Sequence, residues 1–325
     1  MRVRNPGVRT VNLIFEVNYA AFAVFATLLI TEMMGAVLLL VAWDGARERV
    51  LSYIVPIWEI TGTFGALWVV TGDFAYPALL VPVASLFAPL LTVFLILFVA
   101  RNASVVFGEF IAKGRWLDEV KLYKAYAIST IVLGLTVLVL ISALVGGQGV
   151  DLSAGTFSLA AWLSAGSAVF VVGTLLLVVG LAPAFFDLRP FRRLILPFTA
   201  AGIVLSVLSY RLMSAALVTW WMAAPVVLTL VAGLLYLWPR TTKLLANKAV
   251  FILAVCVVIF SLQPLVYPKV VGQALPVDSV TTSGVMADAF LWTTLVGGIL
   301  LAVMLSLYVR FAAGGPEAGD QRLNS

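Results

Sequence analysis

The feature that most constrains this chain is a succession of apolar runs, near 15–43, 49–70, 76–100, 124–146, 157–186, 193–211, 217–238, 248–267 and 288–311. Each reaches the roughly 20 residues that a helix needs to cross a hydrocarbon core about 30 Å thick. In hydrocarbon every backbone N–H and C=O must find its partner within the protein, and a helix provides one residue by residue. With 63% hydrophobic and 11% charged residues in 325, no water-soluble fold could hide so much apolar side chain. The sequence therefore predicts an all-α, polytopic membrane protein with about nine transmembrane helices. Runs six and seven are divided only by Arg211 and the Thr219–Trp221 neighbourhood.

The net charge of +5 is sorted by loop, which argues against a nucleic-acid partner. With alternating crossings, the side of the N-terminus carries Arg2, Arg4, Arg9, Arg211 and Lys269. The opposite side carries the other fifteen basic residues, among them Arg47, Arg49, Arg101, Lys121, Arg189, Arg192 and Arg193. The positive-inside rule then puts the N-terminus outside and the C-terminus in the cytoplasm, against the vote of the three leading arginines. The compact turn Asp187–Arg193 is read as meeting lipid phosphate. The first run is too long for a signal-peptide core and has no clear cleavage site, so it counts as the first helix.

Two acids interrupt these runs. Glu59 follows Arg49 by ten residues, which sets it about 15 Å deep if a helix starts there, close to the midplane. Gly62, Thr63 and Ala66 continue its helical stripe with small side chains. Glu32 precedes Asp44 by twelve residues, so antiparallel helices joined by a short inner loop would bring the two carboxyls to similar depth. Facing each other they would form a proton relay; apart, each would be a protonated acid bonded to a neighbouring helix. The segment 101–124 reads as an inner loop with a surface-lying amphipathic helix, its Trp116, Tyr123 and Tyr126 interfacial. Glu109 in that segment is either a headgroup-level residue or a proton entry.

Absences narrow the chemistry. The chain has no histidine, the usual axial ligand of haem and a common ligand of zinc and copper, so no cofactor is expected to be ligated by this chain. Its single cysteine, Cys256, excludes a disulfide framework, and no nucleotide-binding or hydrolase motif occurs. Gly146–Gly149 marks a seam between two bundles, dividing the chain into 1–146, 147–267, a loop and last helix over 268–311, and a polar, disordered tail 312–325.

The stretch Ile54–Pro77 resembles subunit II of the cytochrome bd oxygen reductases. That family shows Ile-Ala-Pro-x-Trp-Asp-x-Asn at the start of its second helix, then small and aromatic residues up to a proline. Here Ile54, Pro56, Trp58 and Glu59 stand in register, and Pro77 falls nineteen residues after Trp58 with no gap. Glu32 and Gly35 lie within two residues of the family's Asp-x-Gly, and Tyr267-Pro268, Thr281–Gly284 and a last helix ending at Arg310 resemble its final layout. Both family aspartates are glutamate here, its asparagine is Thr61, its second tryptophan is Phe64, and Glu109 is placed only loosely.

The resemblance implies two four-helix bundles plus one extra helix, and a haem-free subunit II in a prokaryotic cell membrane. A related subunit I would carry haem b, haem d and the quinol site. This chain would contribute a proton path through Glu59, Glu32 and Glu109, a helix-packing motif at Trp58, Pro56 and Thr61, and room for a bound quinone or lipid. The residues alone also admit a secondary transporter with midplane carboxylates, or a haem-free membrane anchor of another respiratory reductase.

Overall fold

The structure, a computed structural model, describes residues 6–111, 118–213, 247–263, 269–270 and 275–313. Five helices make the first half: α1 (Pro6–Val41), α2 (Trp43–Ala75), α3 (Pro77–Leu86), α4 (Ala88–Phe110) and α5 (Glu119–Gly146). A hairpin of β1 (Val150–Asp151) and β2 (Thr156–Phe157) and the one-turn α6 (Leu159–Trp162) lead to α7 (Ala165–Phe185) and α8 (Arg192–Met213). Then come α9 (Lys248–Ser261), a second hairpin of β3 (Lys269–Val270) and β4 (Leu275–Pro276), and α10 (Val285–Ala313). Among the described residues seven helices are long and apolar enough to cross a membrane: α1, α2, α4, α5, α7, α8 and α10. The chain is an all-α, multi-pass membrane protein. The expected helix 217–238, Tyr267-Pro268 and the tail beyond 313 lie outside the described residues.

Several boundaries differ from expectation for local reasons. The run at 76–100 is two helices that meet at Phe87, because Pro82 and Pro89 each lack a backbone donor. Beyond the break α4 runs on to Phe110, so Arg101 and Glu109 are helical and Arg101 leaves the count of loop cations. The α1–α2 connection is the single residue Ala42, so Asp44–Arg49, expected near a loop, form the first turns of α2. Glu32 lies ten residues before Ala42 and Glu59 seventeen after it, which separates their depths by roughly 10 Å. Asp118 caps α5 by accepting from the Lys121 backbone N–H at 2.7 Å, and its carboxyl also meets the Lys121 ammonium at 2.9 Å. Those bonds hold the Asp118 carboxyl below the usual carboxylate range, so the cap is intact at neutral pH and lost as pH falls through that depressed value.

The axis of the molecule is α1, 72% buried over its apolar stretch against 17% for α4 and for α10. It packs on α2, α5, α7, α9 and α10, while α4 lies against α5, and α10 against α2. Lipid tails are as apolar as the core, so close packing rather than water exclusion must hold such helices together. The α7–α8 seam shows it: a Cβ on Gly180 would lie 2.7 Å from the Thr199 backbone nitrogen, and one on Gly202 2.8 Å from that of Leu177. The two halves join through rings. Tyr53 of α2 stands edge-on to Phe185 and Phe186, with centroids at 4.9 and 5.7 Å, and Phe185 meets Phe251 of α9 at 4.9 Å. Nearby, Asp187, at φ 48°, accepts from Arg49 through its carbonyl and from Arg192 through its carboxylate at 3.0 Å.

Gly202→Leu is expected to force α8 off α7 at a backbone contact and to cost about 3 kcal/mol or more. Gly298→Leu, at a position where an added Cβ meets nothing within 4 Å, is expected to leave stability near wild type. Thermal unfolding of the two purified variants compares them.

Candidate functional site

Four residues of α4 face inward at helical spacing: Arg101, Ser104, Val105 and Gly108. The first is a guanidinium only 1% exposed, against the wholly buried Glu32 of α1. Arg101 Nη2 donates to Glu32 Oε2 and, at 3.4 Å, to the carbonyl of Trp58, while Nη1 donates to Asn102 Oδ1 at 2.9 Å. The hydroxyl of Tyr126, on α5, donates to the same Glu32 oxygen at 2.7 Å, and its ring centroid lies 5.7 Å from the guanidinium carbon. One ion pair thus ties α1, α4, α5 and the backbone of α2. Beside it Thr31 donates to the Leu28 carbonyl at 2.8 Å, which leaves its oxygen to accept from the wholly buried Tyr53 hydroxyl, also at 2.8 Å. Glu32 Oε1 and Arg101 Nε are buried without a hydrogen-bond partner among the described residues.

A second acid approaches from the end of the molecule where Arg47, Lys121 and Arg192 gather. Glu109, exposed near the end of α4, accepts from the hydroxyl of the wholly buried Tyr123. Gly108 makes room: a Cβ there would lie 3.2 Å from the Tyr123 ring. Tyr123 and Tyr126 are three residues apart on α5, about 4.5 Å along its axis and on one face. Glu109 with Tyr123, then Tyr126 with Glu32, are two bonded pairs in succession along one face of α5, a polar line from the basic end into the helix core. Arg47 pairs with Glu119 at 2.7 Å beside its start.

Glu59 stands apart. It is the middle residue of α2, and its side chain is exposed on the outer surface, with no ion pair or side-chain hydrogen bond among the described residues. It does not face Glu32, because α2 turns Ile57, Ile60 and Thr61 inward and Glu59 away. Trp58 and Pro56 are half-buried, and Trp58 reaches the site only through its carbonyl. Thr61 is buried and donates to the Ile57 carbonyl at 3.1 Å, a bond within its own helix. Among the described residues no cluster of three or more Cys, Asp or Glu could hold a metal ion.

Sequence reasoning missed Arg101, Tyr123 and Tyr126 as site residues. It put the arginine in a loop and the tyrosines at an interface. The signal was present in the apolar character of Val105-Val106-Phe107 beyond Arg101, which carries α4 past the charge.

No protein-family model matches the sequence, and no curated protein matches it. The fold has a clear counterpart among solved structures. A chain of the bd oxidase from Geobacillus thermodenitrificans superposes with a TM-score of 0.72 at 16% identity, over 93% of this chain and 98% of that one. At that identity what is shared is the fold, one of multi-pass membrane helices, and it is the fold that the Ile54–Pro77 resemblance implies.

Arg101→Ala strands the Glu32 carboxylate and is expected to cost about 3–5 kcal/mol, the range for breaking a buried pair. Removing both charges with Glu32→Gln and Arg101→Met is expected to restore much of that loss. Thermal unfolding of the single and double variants measures the coupling.

Proposed function

We propose that this chain is the haem-free subunit II of a cytochrome bd-type quinol:oxygen oxidoreductase in a prokaryotic cell membrane, its N-terminus outside and its C-terminus in the cytoplasm. The observation that carries the reading is the bd oxidase fold over nearly the whole of both chains, met by the Pro56, Trp58, Glu59 and Pro77 register in α2. That coincidence favours it over a secondary transporter or the anchor of another reductase. In this reading a partner subunit I carries haem b and haem d and oxidises quinol. This chain stabilises the partner and brings protons from the cytoplasmic side.

The residues that carry protons follow the polar line. Glu109 takes a proton at the basic end and exchanges it with the Tyr123 hydroxyl; one helical turn further along α5 the Tyr126 hydroxyl gives its proton to Glu32 Oε2 and is reprotonated from the Tyr123 side. A turn of the carboxyl about its Cγ–Cδ bond carries that proton to the position of Oε1, which has no hydrogen-bond partner among the described residues, and releases it onward. Arg101 offsets the carboxylate charge at that depth, so the site tolerates the ionised form between transfers. Glu59, exposed on α2 next in the chain to the Trp58 carbonyl that Arg101 reaches, is assigned as the exit toward the partner.

The founding test is a reduced-minus-oxidised spectrum of the chain purified gently from its native membrane. Haem b and d bands, arriving with a larger histidine-containing membrane subunit, are expected; a colourless chain from intact membranes would overturn the assignment. Within such a complex Tyr126→Phe and Glu109→Gln are each expected to slow quinol-driven oxygen consumption about tenfold or more with unchanged haem bands. Glu59→Gln is expected to act in the same direction. Full turnover in all three variants would remove the proton line from the proposal.

A further inference from the structure

Basic side chains from three helices gather at the basic end of the molecule, where its two halves meet. Arg49 of α2 and Arg192 of α8 bracket Asp187. Arg49 Nη1 donates to the Asp187 carbonyl and lies 3.8 Å from Oδ2, while Arg192 Nη2 donates to Oδ1 at 3.0 Å. Lys248, the first residue of α9, joins them through Tyr53, which follows Arg49 by about one helical turn. Its ammonium stands 5.3 Å from the centroid of that ring, and the ring in turn meets Phe186, next in the chain to Asp187. Arg193 is exposed beside Arg192, and neither it nor Lys248 pairs with a carboxylate among the described residues. Against these four cations stand Asp187 and the exposed Glu48, so the group is positive on balance. Each guanidinium has five N–H donors, and the bonds to Asp187 occupy one nitrogen of each. Arg192 and Lys248 also begin their helices, where the macrodipole disfavours a cation. An anion held among them relieves both costs.

We infer that this cluster is a binding site for the phosphate of an anionic phospholipid. The turn Asp187–Arg193 alone offers general headgroup contact; the structure adds Arg49 and Lys248 from two other helices and makes one site that both halves share. The occupant is a lipid rather than a free anion because apolar surface continues from the charges. Leu196, one turn after Arg192 on the same stripe of α8, is 57% exposed, so a headgroup held at the guanidinium lays its tails against that helix. A phosphodiester presents two unesterified oxygens to the fork of a guanidinium. A net negative headgroup is selected because the ammonium of a zwitterionic one is repelled by a group that is already positive. Bound there, the lipid ties α2 to α8 and α9 and adds to the ring contacts of Tyr53, Phe185 and Phe251. The inference needs only the multi-pass fold and is independent of the oxidase reading.

The test uses the full chain with whatever co-purifies from its native membrane, stripped of lipid in mild detergent and titrated with phosphatidylglycerol. Native mass spectrometry counts the bound lipid on the folded species, and thermal unfolding reads its effect. Phosphatidylglycerol is expected to stay bound and to raise the unfolding midpoint, and phosphatidylcholine to do neither. Arg192→Gln and Lys248→Gln are each expected to weaken phosphatidylglycerol binding about fivefold, and together about twentyfold. Arg192→Lys, which keeps the charge and loses the fork, is expected to fall between wild type and Arg192→Gln. Lys124→Gln, at an exposed cation of α5 outside the cluster, is expected to bind as wild type does. Wild-type affinity in the double variant, or equal retention of phosphatidylcholine, would overturn the site. An equal loss in Lys124→Gln would reduce it to diffuse surface attraction and overturn it as well. Stabilisation by inorganic phosphate as large as that by phosphatidylglycerol would overturn the lipid as its occupant.

Discussion

The Glu32–Arg101 ion pair sets the terms for the first half of the molecule. Two opposite charges far from water hold together because each would be intolerable alone, and that necessity fixes which faces of α1 and α4 turn inward. Tyr126 completes the carboxylate from α5, and the Trp58 carbonyl brings in α2. Apolar packing alone would let these helices rotate against one another at modest cost, since Leu, Ile and Val face lipid and protein equally well. A charge pair with directed hydrogen bonds admits one rotation. The inward stripe Arg101, Ser104, Val105 and Gly108 follows from it, and Gly108 in turn opens the space in which Tyr123 meets Glu109.

The second half is held by different means. Glycines at 173, 180 and 202 bring the backbones of α7 and α8 together, and buried rings from α2, α7 and α9 lock that pair to the first half. At the basic end Asp187 binds two arginines, Arg49 from α2 and Arg192 from α8. The division of labour is physical: directed polar bonds where a chemical path is proposed, close packing where only rigidity is needed. A proton line requires side chains held within hydrogen-bond reach, and it gains from a scaffold whose helices cannot turn.

The polar groups sort into two sets with different surroundings. Glu32, Arg101 and Tyr126 are enclosed and bonded to one another, and the enclosed Tyr123 is bonded to Glu109, whereas Glu59 and Asn102 look outward with bonding capacity unspent. The enclosed set finds most of its bonds within this chain, with Glu32 Oε1 and Arg101 Nε left over, whereas the carboxyl of Glu59 has no partner among the described residues. That contrast is the physical ground for the proposal that the chain is one part of a larger membrane assembly, and the fold it shares with a bd oxidase chain is compatible with it.

The amino-acid sequence by itself determined the all-α, membrane-spanning class, because apolar run length and the bilayer's thickness leave few other solutions. It also marked Glu59 and Glu32 as the acids that need an explanation, and Pro56, Trp58 and Pro77 as a pattern worth comparing. Depth and partners were another matter. A one-residue turn at Ala42 moved Glu59 away from Glu32, and a helix running to Phe110 carried Arg101 from an expected loop into the core. Tyr123 and Tyr126 looked like interfacial aromatics until α4 and α1 were placed beside them. Helix rotation and register decide such matters, and they follow from contacts between residues 69 and 94 positions apart, which no local pattern in the chain records.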